Sequence, residues 1–240
     1  MSDGQGLSLS VRGEAHQSVA PDLVVLAGRV TVAGTSKPDA VEACAKALEV
    51  LTAELAALGG LPLTVEYGRS VLTWSAYSAT THFERDHNAK TGRHEPTGRV
   101  LASVDLNVAV RDFSLLEALG AVFARLEAFN LNGVSWYVDD DNPAWPALRT
   151  AAIEAALRKA RDYAGALGGS LISVEHVADV GLLAGRGESP RVFRAMAGRA
   201  ASAGGPGDGV EAPSLDPVPQ EITAVIEARC RATSSPLAGT

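Results

Sequence analysis

Residues 100–110, VLASVDLNVAV, are the stretch of the chain that decides its fold class. Apolar side chains occupy every even-numbered position, and the intervening positions are Leu101, Ser103, Asp105, Asn107 and Ala109. A period of two is typical of a β-strand with one buried face and one partly wet face. The sequence therefore predicts a long strand whose even-numbered face covers a hydrophobic core.

Three other segments have the periodicity of helices. In residues 36–60 the apolar residues recur three or four positions apart, with Ser36 suited to cap the first turn and Gly59-Gly60 suited to end the helix. Asp112 can cap a second helix, whose apolar stripe runs from Leu115 to Phe129. A third helix is predicted over residues 144–167, with a contact face made mostly of alanine.

The remaining ordered segments are predicted to be strands. They begin near Leu7, Leu23, Leu63, Val134, Leu171 and Gln220. We expect the first two to pair as a hairpin, residues 80–97 to form the loop before the 100–110 strand, and Asn132-Gly133 to form a turn. The order β-β-α-β-β-α-β-α-β-loop-β predicts an α+β fold, with mainly antiparallel sheets, three helices packed on them and two α/β halves.

Composition limits the classes of function. The 240 residues contain 21 Lys and Arg against 28 Asp and Glu, giving a net charge of −7, which argues against a nucleic-acid-coating role. Cys44 and Cys230 do not form a disulfide framework; we expect two small buried residues, and a bridge between them stays open. No segment is apolar enough to span a membrane and no signal peptide is visible, so we expect a soluble cytoplasmic protein.

Ligand-type side chains are concentrated in one polar segment. Its members are His82, Glu84, Asp86, His87, His94 and Glu95. Imidazole and carboxylate groups suit zinc or manganese, and an extended chain would place His82, Glu84 and Asp86 on one side. The alternative is a solvated hairpin tip whose charges prevent edge-to-edge aggregation. No nucleophile, phosphate-loop or paired-cysteine motif is present, so no catalytic residue and no cofactor are predicted.

Several landmarks together resemble the SIMPL-domain family, which includes periplasmic immunogenic antigens and a mammalian adaptor of a receptor-associated kinase. They are Val11-Arg12-Gly13-Glu14, Pro21-Asp22-Leu23, Val108-Ala109-Val110-Arg111-Asp112, Asn132-Gly133-Val134-Ser135-Trp136 and the alanine-rich segment Arg149 to Gly168. The chain departs from the family pattern at Glu14-Ala15 and at Arg99. The resemblance implies a mixed α+β fold and large homo-oligomers, and it implies no agreed catalytic residues.

A single SIMPL-like domain is therefore expected over residues 1–240, with its ordered part at about 7–232, a flexible loop at about 181–219 and a loose tail at 233–240. We expect a non-enzymatic scaffold or binding module that forms a homo-oligomer through free sheet edges and can take a protein partner. The alternative is a metal-binding protein or metalloenzyme that uses the His82–Glu95 segment. A third interpretation is an adaptor whose 181–219 segment orders on a partner.

Overall fold

A computed structural model describes residues 6–63, 70–88, 92–182 and 215–233. In chain order its elements are β1 (Leu7–Val19), β2 (Leu23–Gly34), α1 (Lys37–Ala57), β3 (Leu61–Pro62), β4 (Leu72–Asn88), β5 (Arg93–Val110), a 3-10 turn (Phe113–Leu115), α2 (Leu116–Arg125), β6 (Phe129–Tyr137), α3 (Ala144–Ala166), β7 (Leu171–Asp179) and β8 (Gln220–Ala232). The strands form two mainly antiparallel sheets, which confirms the predicted α+β class.

The first of two compact units contains the described residues of Met1–Ala20, Val138–Met196 and Pro219–Thr240. Its antiparallel sheet has the strand order β1-β8-β7, and α3 packs on one face. The predicted alanine face of α3 is confirmed, because Ala152, Ala156, Ala160 and Ala164 are fully buried. Such small side chains let the helix backbone approach the sheet closely. The facing positions of β8 are Ile222, Ala224, Ile226, Ala228 and Cys230.

The second unit contains the described residues of Pro21–Tyr137 and Ala197–Val218. Its sheet has the order β3-β4-β5-β2-β6, antiparallel except where the two residues of β3 pair in parallel with β4. The even-numbered face of β5 is confirmed as a core face: Leu106, Val108 and Val110 are fully buried. They pack with residues from α1 and α2 in one cluster, including Leu51, Leu55 and Leu119.

Local signals place α1 as predicted. The Ser36 side chain accepts a hydrogen bond from the backbone N–H of Asp39, 3.3 Å away, and Pro38 lies in the first turn. The helix ends at Ala57, and Gly59 then takes φ +82°, a left-handed conformation that favours glycine. The backbone therefore leaves the helix where the glycine pair predicts.

The predicted hairpin between the first two strands is wrong. β1 pairs with β8 along its whole length, from Leu7 opposite Ala232 to Val19 opposite Gln220. β2 lies in the other sheet, where β5 and β6 pair with its two edges. Because β2 has a partner on each side, it has no free edge for β1. The entropic cost of closing a loop grows only slowly with loop length. A strand far along the chain can therefore pair with β1 at little additional cost.

Two segments that the sequence predicts as connections form strands in the structure. β4 continues to Asn88 and β5 begins at Arg93, so most of the predicted 80–97 loop is a hairpin. Both strands are polar there because their side chains are largely exposed and no core has to be covered. The predicted Asn132-Gly133 turn lies inside β6, where Gly133 pairs with Ala27 beside a β-bulge.

The predicted flexible loop and the predicted tail lie mostly outside the described residues. Of the loop, only 181–182 and 215–219 are described, and of the tail, only residue 233. Cys44 and Cys230 are both buried and both free thiols, as expected of small core residues. Among the described residues, none of the helices has both the length and the apolar character needed to cross a membrane.

Candidate functional site

The hairpin of β4 and β5 contains all six ligand-type residues of the predicted metal segment. His82, Glu84, Asp86 and His87 lie on β4, and His94 and Glu95 lie on β5. Five of the six are exposed, and Glu84 is half-buried. The register places Asp86 opposite Glu95 and His87 opposite His94, whereas His82 lies opposite Leu101. The hairpin therefore brings together two pairs, one of carboxylates and one of imidazoles.

The Glu84 carboxylate is not free, because it has hydrogen-bond and ion-pair partners on β5. The register shifts between Phe83 and Arg85, where the extra residues lie on β5 and form a bulge opposite Glu84. Gly98 in this bulge has φ +83°. Thr97 Oγ1 donates to Glu84 Oε2 over 2.7 Å, and Arg99 Nε lies 3.6 Å from the same oxygen. These contacts hold the bulge closed. The extra residues of the bulge lie on β5, so they do not interrupt the alternation of β4 between His82 and Asp86.

Within the described parts of the chain, no group of three or more His, Cys, Asp or Glu side chains is arranged to hold a metal ion. The two closest imidazoles of the hairpin are those of His87 and His94, whose ring centroids are 5.3 Å apart at an interplanar angle of 53°. The rings are tilted and therefore do not stack. A metal site in this segment remains a prediction, and these two side chains are the ones that the register brings together.

A second feature is the outer edge of β7. In the described chain, β7 pairs only with β8, so its other edge has no strand partner. Val174 and Val177 lie opposite Cys230 and Ala228, which are buried under α3. Opposed residues share a sheet face, so both valines belong to the apolar face. They are nevertheless 43% and 46% exposed, because α3 lies over β1 and β8 and scarcely reaches β7.

The opposite face of the same sheet is polar and cross-linked by charges. Arg12 Nη2 lies 2.9 Å from Glu227 Oε1, and Arg231 Nε lies 2.9 Å from Glu175 Oε1. His16 is half-exposed between Glu14 and Glu221, with ring nitrogens 3.2 and 3.5 Å from their carboxylates. From the sequence alone, His16 is predicted only as a packed or surface histidine. Its contact with Glu221 leaves no local signal, because Glu221 lies on β8, more than 200 positions along the chain.

One cavity of about 180 Å³ lies between α1 and the turn after α2. Its lining is mostly apolar, with Val30, Leu51 and Phe129 at its wall and Arg125 at its edge. Arg125 Nη2 is 3.3 Å from Glu54 Oε2, so the guanidinium already has a carboxylate partner. The cavity is smaller than the 300–1,000 Å³ or so that is usual for ligand pockets, and no convergent set of polar groups lines it.

Comparison with known proteins gives a family match for this chain. Residues 9–230, nearly the whole chain, match the family model named SIMPL and described as a protein of unknown function (DUF541). The chain belongs to the SIMPL family. No curated protein matches it. Because the matched range begins in β1 and ends in β8, the family match includes both compact units of this SIMPL protein, with the β7 edge and the β4–β5 hairpin.

Proposed function

We propose that this SIMPL protein is a non-enzymatic scaffold that associates with further copies of itself through the outer edge of β7. The observation that supports the proposal most directly is the half-exposed pair Val174 and Val177 beside a strand edge that has no partner in the described chain. Ile172 on the same strand is 55% exposed. An edge with unpaired backbone groups and apolar side chains is a template for pairing with another chain.

The two edges of the sheet differ in their suitability for strand addition. The Nζ of Lys159 on α3 donates a 2.8 Å hydrogen bond to the backbone carbonyl of Arg12, in the middle of β1. A lysine held against an edge strand discourages strand addition, because a second strand would have to displace a charge. On β7 the exposed side chains next to the edge include three large aliphatic ones. The β7 edge is therefore the better docking site.

A second copy is the partner that fits this edge with the least further assumption. Two β7 strands running antiparallel across a two-fold axis would join two three-stranded sheets into one sheet of six strands. A two-fold interface uses the same patch on both copies, so Val174 and Val177 of each copy would be covered by the other. Burial of these valines supplies the apolar part of the association energy, and the backbone supplies the hydrogen bonds.

Light scattering coupled to size-exclusion chromatography tests this proposal across a concentration series. We expect an assembly that grows with concentration in the wild type and is lost in Val177→Lys, because a lysine on the edge strand opposes pairing. The matched control is Val41→Lys: Val41 on α1 is 47% exposed, against 46% for Val177, and lies in the other compact unit. A wild type that is monomeric at every concentration, or a Val177→Lys variant that associates normally, would refute the proposal.

The proposal includes a cytoplasmic location and leaves room for a protein partner at the same edge. Two buried free thiols support a reducing compartment, where cysteines do not form disulfides. Fractionation of cells that produce the tagged full chain tests the location, and recovery outside the cytoplasm would contradict it. The alternative function, metal binding by the His82–Glu95 segment, is supported by the opposed imidazoles of His87 and His94.

A further inference from the structure

We propose that His87 and His94 form a two-imidazole chelate for a transition-metal ion of the copper, nickel or zinc class. The site lies near the end of the β4–β5 hairpin and uses one histidine from each strand. It does not depend on self-association through β7, because the hairpin belongs to the other compact unit. Water molecules would complete the coordination of the ion.

The separation of the two rings fits one shared ion. A metal about 2.0 Å from an imidazole nitrogen lies about 3.2 Å from the ring centroid, so two rings at a tetrahedral angle have centroids about 5 Å apart. The observed centroid separation is 5.3 Å. The rings are inclined to each other by 53°, which leaves their edges free to turn toward a common point. Rotation of the His87 and His94 side chains is then enough for both imidazoles to bind one ion.

The backbone holds the two histidines ready for chelation. They are directly opposed across an antiparallel pair, where Cβ atoms lie about 4.5–5.5 Å apart. Once one imidazole binds the ion, the second is already within reach, so its binding is effectively intramolecular. Both side chains are exposed, which leaves the remaining coordination positions open to water.

Charges around the pair nearly cancel. Asp86 and Glu95 are the neighbouring opposed residues, Arg85 is next to Asp86 on β4, and Arg93 is next to His94 on β5. The site is therefore not simply an acidic patch that attracts any cation. Imidazole ligands favour copper, nickel and zinc, whereas calcium and magnesium prefer oxygen ligands. We expect Cu(II) to bind most tightly, following the general order of divalent-metal affinities.

The test is calorimetric titration of the full chain with Cu(II), Ni(II), Zn(II) and Ca(II). Each of His87→Gln and His94→Gln should weaken Cu(II) binding by about 10-fold or more, because either change removes the chelate. The double variant should bind Cu(II) more weakly than either single variant, because each single variant keeps one imidazole ligand and the double variant keeps none. His82→Gln is the matched control: His82 is an exposed histidine of the same strand, opposite Leu101, and its loss should leave binding unchanged.

Three outcomes would overturn the chelate. They are a wild type that binds none of the three transition metals, single variants that bind as tightly as the wild type, and Ca(II) binding as tight as that of Cu(II). Circular dichroism of each variant separates loss of ligand from loss of fold. The Cu(II) electron paramagnetic resonance spectrum gives a second readout, because two nitrogen ligands in the wild type should fall to one in either single variant. The Val177→Lys protein should bind metal normally, so failure of the scaffold proposal and failure of the metal site are distinguishable.

Discussion

Gly13 of β1 lies directly against the backbone of α3 at Ala156. A Cβ atom built on Gly13 would sit 2.6 Å from the nitrogen of Ala156 and closer still to the carbonyl oxygen of Ala152. These are backbone atoms, which cannot rotate aside as a side chain can. The closeness of helix and sheet in this unit therefore depends on the absence of a side chain at one position of β1.

Gly13→Ala should reduce the free energy of unfolding by about 3 kcal/mol, since overpacking against backbone forces the helix away from the sheet. Urea unfolding followed by circular dichroism measures the change. Gly165→Ala on α3 is the control, because an added Cβ there meets nothing within 4 Å and alanine is the better helix former by roughly 0.5 kcal/mol or more. A Gly13→Ala protein as stable as the wild type would contradict the close packing.

The start of α1 should give a pH-dependent contribution to stability. Hydrogen bonds from the Thr35 hydroxyl and then from Ser36 lower the pKa of Asp39 below its ordinary value of 3.8. A carboxyl group whose pKa is lower in the folded state stabilises that state above the unfolded value, and the contribution disappears as the pH falls through the folded pKa. Thr35→Val should therefore raise the pKa of Asp39 and destabilise the protein at neutral pH, with the difference shrinking below about pH 3.8.

Titration of the Asp39 carboxyl carbon by NMR measures this pKa directly. Thr52→Val is the control, because the Thr52 hydroxyl donates to the backbone carbonyl of Glu49 in the same helix and should not affect Asp39. An Asp39 pKa that does not change in Thr35→Val would show that the hydroxyl is not its main partner.

Both thiols should react slowly in the folded protein. Burial raises the pKa of Cys44, and burial followed by the charge of Glu175 raises that of Cys230, so little thiolate is present at neutral pH. With Ellman's reagent we expect very slow labelling in buffer and rapid labelling of two thiols per chain in urea. Rapid labelling of one thiol in the folded protein would mean that its unit opens readily.

The bulge opposite Glu84 should depend on Gly98. Its φ of +83° is unfavourable for any residue with a side chain, so Gly98→Ala should cost about 1 kcal/mol or more even though the space around it is open. Gly133→Ala is the matched control: an added Cβ there also meets nothing within 4 Å, but the φ angle is not positive. Equal unfolding midpoints in urea for the two variants would contradict the conformational argument.

Local sequence signals were sufficient for the helices and for the faces of the strands. Ser36 and the spacing of the following apolar residues gave α1, and alternation from Ile222 to Cys230 gave β8 with its buried face. Strand partners were not predictable in the same way. A period of two shows which side chains share a face but contains no information on which strand lies alongside, so the sequence predicts the wrong partner for β1.

The candidate sites show the same limit. The hairpin residues could be identified by type, but the pairing of His87 with His94 depends on the register shift near Glu84, for which Gly98 is the one signal in the sequence. The exposure of Val174 and Val177 was less predictable still. Their position on an apolar face follows from the strand pattern, whereas their exposure depends on where α3 lies over the sheet.

The place of β8 between β1 and β7 has a consequence for synthesis on the ribosome. Residues 21–137, which form most of one compact unit, emerge as one continuous segment and can begin to fold early. β1 is made before this segment, yet its only partner in the described chain is β8, whose pairing begins at residue 220. β1 must therefore stay without this partner while residues 20–219 are made. During that interval, chaperones and other nascent chains have access to an edge that the finished protein covers.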